Sequence, residues 1–158
     1  MPKMTLDNTD YKILHQLQNE ARMTNAELAE KVGISPSPCL RRVRLLENKG
    51  VIKRYVAIVD APSVGLPISI FVNVTLQRQD RKALATFENQ LSKYPEVMEC
   101  YLMTGSYDYL LRIVVPSLEA YERFLADQLT RVAGVANIQS SFALKQLLYR
   151  TELPLTED

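Results

Sequence analysis

Apolar positions follow two different rhythms along this chain. Between Asp7 and about Lys49 they recur every three or four residues, at Ile13, Leu14, Leu17 and Ala21, then Leu28, Ala29 and Val32, then Cys39, Val43 and Leu46. That spacing predicts amphipathic helices with one buried face each. The boundaries are written in capping residues. Asp7 with Asp10, and Thr24 with Glu27, have the Ncap-to-N3 form of a capping box, Gly33 stops the second helix, and Ser35-Pro36 opens a third that ends at Gly50. Two short helices joined by a glycine-containing turn form a helix-turn-helix. The β-branched stretch Val51–Val59 predicts an extended strand or short wing after it.

From Ile68 onward the rhythm changes to two. Ile68, Ile70, Val72, Val74 and Leu76 alternate with Ser69, Phe71, Asn73, Thr75 and Gln77, which predicts a strand with one core face. A helical stripe follows (Leu84, Phe87, Leu91, Tyr94), then strands over Val97–Met103 and Asp108–Val115. A second stripe (Leu118, Tyr121, Leu125, Leu129, Val132) precedes a last strand within Val135–Leu148. The segments from Gln90 to Val97 and from Gln128 to Val135 match at an offset of 38 residues. Two β-α-β units with the same helix exit predict a ferredoxin-like βαββαβ domain. Its helices cover one sheet face. Phe71, Leu110 and Val114 lie on the other, where a second copy of the chain is the simplest cover. The whole is an α+β chain: a winged helix-turn-helix in residues 1–60, a Pro- and Gly-rich linker at 61–67, the second domain at 68–150 and a tail at 151–158.

Composition adds little until it is resolved along the chain. Of 158 residues 47% are apolar and 23% charged, with a net charge of +1, values of an ordinary globular protein. No apolar run reaches the roughly 20 residues of a membrane span, and the first residues lack the apolar core of a signal peptide, so a cytoplasmic location is expected. Cys39 and Cys100 are far apart and predicted to be small core residues, giving neither a disulfide framework nor a metal site. Residues 1–60 carry ten Lys and Arg against seven Asp and Glu, or +3, whereas the remainder carries nine against eleven, or −2. Between Ser35 and Tyr55 six basic side chains meet one acid, Glu47.

That cluster gives the third helix a chemistry. With Cys39, Val43 and Leu46 turned inward, Ser37, Pro38, Arg41, Arg44, Leu45 and Asn48 face outward. Arginine donates two parallel hydrogen bonds to guanine in the major groove, and Ser35, Ser37 and the helix N-terminus suit phosphate. The candidate DNA contacts are Ser35, Ser37, Pro38, Arg41, Arg42, Arg44, Lys49, Lys53 and Arg54. A second candidate site is the turn between the second and third strands of the sheet domain, Thr104-Gly-Ser-Tyr-Asp108. Its backbone N–H groups, hydroxyl and carboxylate could hold the two charged ends of a free amino acid.

The chain resembles the Lrp/AsnC family of feast/famine transcriptional regulators over nearly its whole length. The resemblance rests on Leu6-Asp7, Asp10, Ile13-Leu14 and Leu17, on Asn25-Ala-Glu-Leu-Ala29 with Val32-Gly-Ile-Ser35, on Arg42-Val-Arg44, Leu46-Glu47 and Gly50-Val-Ile52, and on Gly105-Ser-Tyr-Asp-Tyr109. It implies a RAM/ACT-like sensing domain and a homodimer assembled through the C-terminal sheets, often associated further into tetramers or octamers, on double-stranded promoter DNA. It also implies a small-molecule effector, usually an amino acid, near Met103, Thr104, Gly105, Ser106, Tyr107 and Asp108, with Ser140 and Ser141 as additions. Ser37-Pro38-Cys39 resembles one branch of the family in which cysteine is among the effectors.

Two other readings share the fold. An architectural DNA-compacting protein would need no effector. A siroheme-decarboxylase-like enzyme would need histidines in the sensing domain, and the one histidine, His15, lies in the first helix. No nucleophile-base set, metal-ligand cluster or phosphate-binding loop accompanies it, so neither an enzyme activity nor a cofactor is expected.

Overall fold

The computed structural model describes residues 5–155 and contains two compact units. One comprises residues up to Ala57 together with those from Leu147; the other is Ile58–Gln146.

In the first unit, α1 (Asn8–Asn19), α2 (Asn25–Val32) and α3 (Pro36–Asn48) close on a core of Ile13, Leu14, Leu28, Ala29, Val32, Cys39 and Leu46. Both capping boxes form. The Asp10 N–H donates to Asp7 Oδ1 at 2.9 Å and the Asp7 N–H to Asp10 Oδ2 at 3.2 Å. The Thr24 N–H donates to Glu27 Oε2 at 2.6 Å, and the Glu27 N–H to Thr24 Oγ1 at 3.3 Å. Each satisfies backbone donors that a helix start otherwise leaves open. Gly33 sits at φ 80°, the left-handed conformation that lets its N–H close back on the Ala29 carbonyl and turn the chain into α3. Ser35 occupies the Ncap of α3 without a side-chain bond, and Pro36 fills the first helical position. Helix α1 stops before Ala21, which is exposed.

In the second unit β1 (Ile68–Leu76), α4 (Arg81–Leu91), β2 (Val97–Leu102), β3 (Tyr109–Val115), α5 (Leu118–Asp127) and β4 (Val135–Phe142) follow in the expected order. The antiparallel sheet has the strand order β2-β3-β1-β4. Ile70, Val72, Val74, Leu111 and Ile113 share a buried cluster with Phe87 and Leu91 of α4 and Tyr121 and Phe124 of α5, so both helices cover one face. The internal repeat is structural: Val97 and Val135 open β2 and β4, and Leu91 and Leu129 before them are both buried. On the opposite face Phe71 is 39% exposed, whereas Val114 is nearly covered and Leu110 half-buried.

Three expectations are corrected. Residues 51–59 form no strand: β-branched residues favour extended backbone, but a strand needs a ladder partner, and Tyr55, Val56, Ile58 and Val59 lie exposed. Cys100 is exposed, because β2 is an edge strand; Cys39 is buried as expected. The linker is not featureless, since Pro62–Val64 makes a 3₁₀ turn in which Asp60 accepts from the Ser63 N–H at 2.9 Å. By its contacts the second unit spans Ile58–Gln146, and the chain from Leu147 groups with the first unit.

Candidate DNA interface and candidate sensing turn

The helical period rotates Cys39 and Leu46 of α3 into the core and leaves Ser37, Pro38, Arg41, Arg44, Leu45 and Asn48 outside. Ser37, Arg41, Arg44, Leu45 and Asn48, joined by Leu40, line an open concavity of about 420 Å³. Neither Arg41 nor Arg44 takes part in an ion pair among the described residues. Ser35 at the helix start, and Lys49, Lys53 and Arg54 beyond its end, are exposed as well. A solvent-facing arginine pair on a helix held by its opposite face can donate to base edges without first breaking a protein contact.

Arg42 does not belong to that surface. Its Nη1 lies 2.8 Å from Asp7 Oδ2 and 2.7 Å from Asp10 Oδ1, and Asp10 is buried. The second residue of the Arg-Arg-Val-Arg run therefore does different work from its neighbours: a 100° step around the helix turns it toward α1. The Asp10 and Asp7 carboxylates hold the guanidinium above its usual range, and Asp7 is held below the carboxylate range first by the Asp10 N–H and then by Arg42.

Two further contacts shape the surface. The Asn25 Nδ2 donates to the Pro36 carbonyl at 2.8 Å, tying the start of α2 to the start of α3. The Tyr55 hydroxyl donates to Glu47 Oε1 at 2.9 Å, engaging the one acid among the six bases. Partial burial and that carboxylate push the Tyr55 hydroxyl up to about 12.

The candidate sensing turn connects β2 to β3. The Met103 N–H donates to the Asp108 carbonyl at 2.8 Å and the Asp108 N–H to the Val74 carbonyl at 2.9 Å. Gly105 lies at φ 130°, where side chains are strained. Thr104, Gly105 and Ser106 are exposed, and Met103 and Tyr107 half-buried. The N–H groups of Gly105, Ser106 and Tyr107 have no backbone acceptor among the described residues.

The carboxylate of Asp108, expected to face a ligand, is buried and already engaged. One oxygen accepts from the Leu76 N–H at 2.7 Å and the other from Gln79 Nε2 at 2.7 Å, so it braces the end of β1. Ser140 is likewise engaged, by the Tyr121 hydroxyl on the helix-covered side. Ser141 projects from the other face, paired with Phe71 across the ladder, so the β4 serines are not brought together with the turn. Sequence reasoning missed Gln79 and Glu88. The Tyr109 hydroxyl donates to Glu88 Oε1 at 2.8 Å, and burial and that carboxylate push the hydroxyl up. Glu88 and Tyr109 border a hollow of about 400 Å³ beside the turn, whose wall includes Leu91, Met98, Cys100 and Leu102. No motif marks them, because α4 and β2 meet only through the fold.

Among the described residues, no group of three or more His, Cys, Asp and Glu side chains could hold a metal ion, and no helix is long and apolar enough to cross a membrane.

Residues 6–53 match the model of a winged helix-turn-helix DNA-binding domain, and residues 69–153 that of the Lrp/AsnC ligand binding domain. The chain is 45% identical over 150 residues to the Bkd operon transcriptional regulator of Pseudomonas aeruginosa, covering 95% of this chain and 98% of that one. It is 36% identical over 146 residues to the leucine-responsive regulatory protein of Escherichia coli K12, covering 92% and 89%. Among solved structures, a transcriptional regulator of Neisseria meningitidis in complex with L-Met superposes with a TM-score of 0.89 at 43% identity, covering 95% of this chain and 97% of that one.

Proposed function

The chain belongs to the Lrp/AsnC family of transcriptional regulators, and from that premise we propose that a neutral amino acid at the Met103–Asp108 turn alters how α3 engages promoter DNA. The observation that carries the DNA half is the exposed α3 face with Arg41 and Arg44 free of ion pairs among the described residues. Arg41 and Arg44 read base edges; Ser35, Ser37, Lys49, Lys53 and Arg54 contact phosphates, and Arg42 holds α3 on α1.

The effector half rests on main-chain donors. The N–H groups of Gly105, Ser106 and Tyr107 have no backbone acceptor among the described residues, which suits a carboxylate, and the turn carries no basic side chain that would select an acidic ligand. The hollow beside it, with Met98, Leu91 and Leu102 in its wall, suits an apolar side chain. The Neisseria regulator in its L-Met complex supports an effector of that kind.

A second copy covers the open sheet face at Phe71, giving a homodimer with two copies of α3. Its operator is then two half-sites spaced by about one helical turn or a multiple. Sedimentation of the purified chain tests the assembly.

A thermal-shift screen over the twenty amino acids tests the effector reading. The expected result is a rise in melting temperature with L-methionine or another neutral amino acid, since a ligand at 100 times its Kd adds about 2.7 kcal/mol. No rise with any of the twenty at millimolar concentration favours an architectural DNA-binding role instead.

A further inference from the structure

The last described residues do not trail away. The Leu153 N–H donates to Gln18 Oε1 at 2.7 Å, and Gln18 Nε2 donates back to the Leu153 carbonyl at 3.3 Å, a reciprocal clamp across 135 residues of chain. Leu155 packs against the helix-turn-helix core cluster beside Leu6 and Leu17. Tyr11 and His15 of α1 face Arg150 and Glu152 across a cleft of about 440 Å³. Between this anchor and the end of β4 the chain is bare: Leu144, Leu147, Leu148 and Tyr149 are all exposed.

The first unit is consequently discontinuous, and the chain crosses between the units twice, after Ala57 and after Gln146. The second crossing starts from β4, a strand on the edge of the sheet next to β1. We propose that residues 147–155 are a strap that completes the DNA-binding unit and passes changes in β4 of the sensing unit to α1, with Gln18 as its positioning residue. The signal it carries is the effector binding of the preceding section, on which this half of the proposal rests.

The chemistry of the anchor suits a switch. Two solvent-exposed hydrogen bonds and one half-buried leucine hold weakly on their own, and the covalent link to β4 keeps the segment at high local concentration, so docking is populated yet reversible. A docked and a released state close in free energy respond to a small bias at either end. Helix α1 is a fitting receiver, because its Asp7 and Asp10 grip Arg42 of α3 one residue from Arg41.

The test uses the full-length chain and the variants Gln18→Ala and Leu155→Asp. Hydrogen exchange is measured without effector, and duplex affinity is measured with and without millimolar L-methionine as the probe. Both variants are expected to speed exchange in 150–155 and along α1 by about tenfold while leaving β1 and β3 unchanged. They keep affinity in the absence of effector within about twofold and lose the change that L-methionine produces in the parent. Unaltered exchange in both variants overturns the anchor. Faster exchange with the parent's L-methionine response intact overturns the transmission. If the parent's affinity responds to no amino acid, the effector reading of the preceding section fails and the transmission half with it, while the exchange measurement still decides whether the strap is docked.

Discussion

The α3 surface and the β2–β3 turn carry candidate recognition groups in opposite ways. On α3 the groups are side chains left over by folding: Arg41 and Arg44 are exposed and outside every ion pair among the described residues. At the turn the side chain with the most chemistry, Asp108, is consumed by Leu76 and Gln79, and the groups left over are backbone N–H donors. A helix satisfies its own backbone and presents side chains, whereas a tight turn exposes the backbone and needs its polar side chains to hold the bend. The two surfaces therefore fail differently under substitution: function without loss of stability on α3, stability first at the turn.

The largest departure expected is on the DNA side. Arg41→Ala with Arg44→Ala weakens specific binding by about 1–3 kcal/mol per arginine, with an unchanged melting temperature, as read by fluorescence anisotropy and calorimetry. Arg42→Ala inverts that pattern. It removes the cation paired with buried Asp10 and lowers stability by about 3 kcal/mol in chemical denaturation. Asp108→Asn, which gives up one of two charge-assisted hydrogen bonds, lowers stability by about 2 kcal/mol with DNA affinity retained where the chain is folded. A smaller effect follows pH. Asp7 and Glu27 at the helix caps have lowered folded values, so their contribution is complete above the unfolded carboxylate range and is lost as pH falls through the folded values. Thermal melts of the intact chain should shift to lower temperature below about pH 4. Smallest is Tyr55→Phe: freeing Glu47 to approach phosphate costs about 0.5–1 kcal/mol in binding, and Glu47→Gln in the same chain restores it.

Legibility followed the same division. The helices of the first unit could be read from the sequence because their signals are local: Asp7 with Asp10, Thr24 with Glu27, and Gly33 each act within four residues. The strands were readable from alternation, and the 38-residue repeat placed β2 and β4 in equivalent positions. What escaped was every role fixed by a distant partner. Arg42 reads like Arg41 until α1 is folded beside it, and Asp108 reads like a ligand group until Gln79 is seen against it. Cys100 looks apolar enough for a core but falls on an edge strand, and residues 51–59 have strand-forming side chains without a ladder in their own chain. The return of Leu153 to Gln18 has no sequence signature at all.

The salt dependence of duplex DNA affinity in three proteins, the intact chain, the Arg41→Ala/Arg44→Ala variant and Asp108→Asn, tests this division of labour most directly. Affinity should fall steeply with salt in the intact chain, less steeply and from a weaker start in the arginine variant, and with the parent's dependence in Asp108→Asn. Undiminished affinity and an unchanged slope in the arginine variant would contradict it.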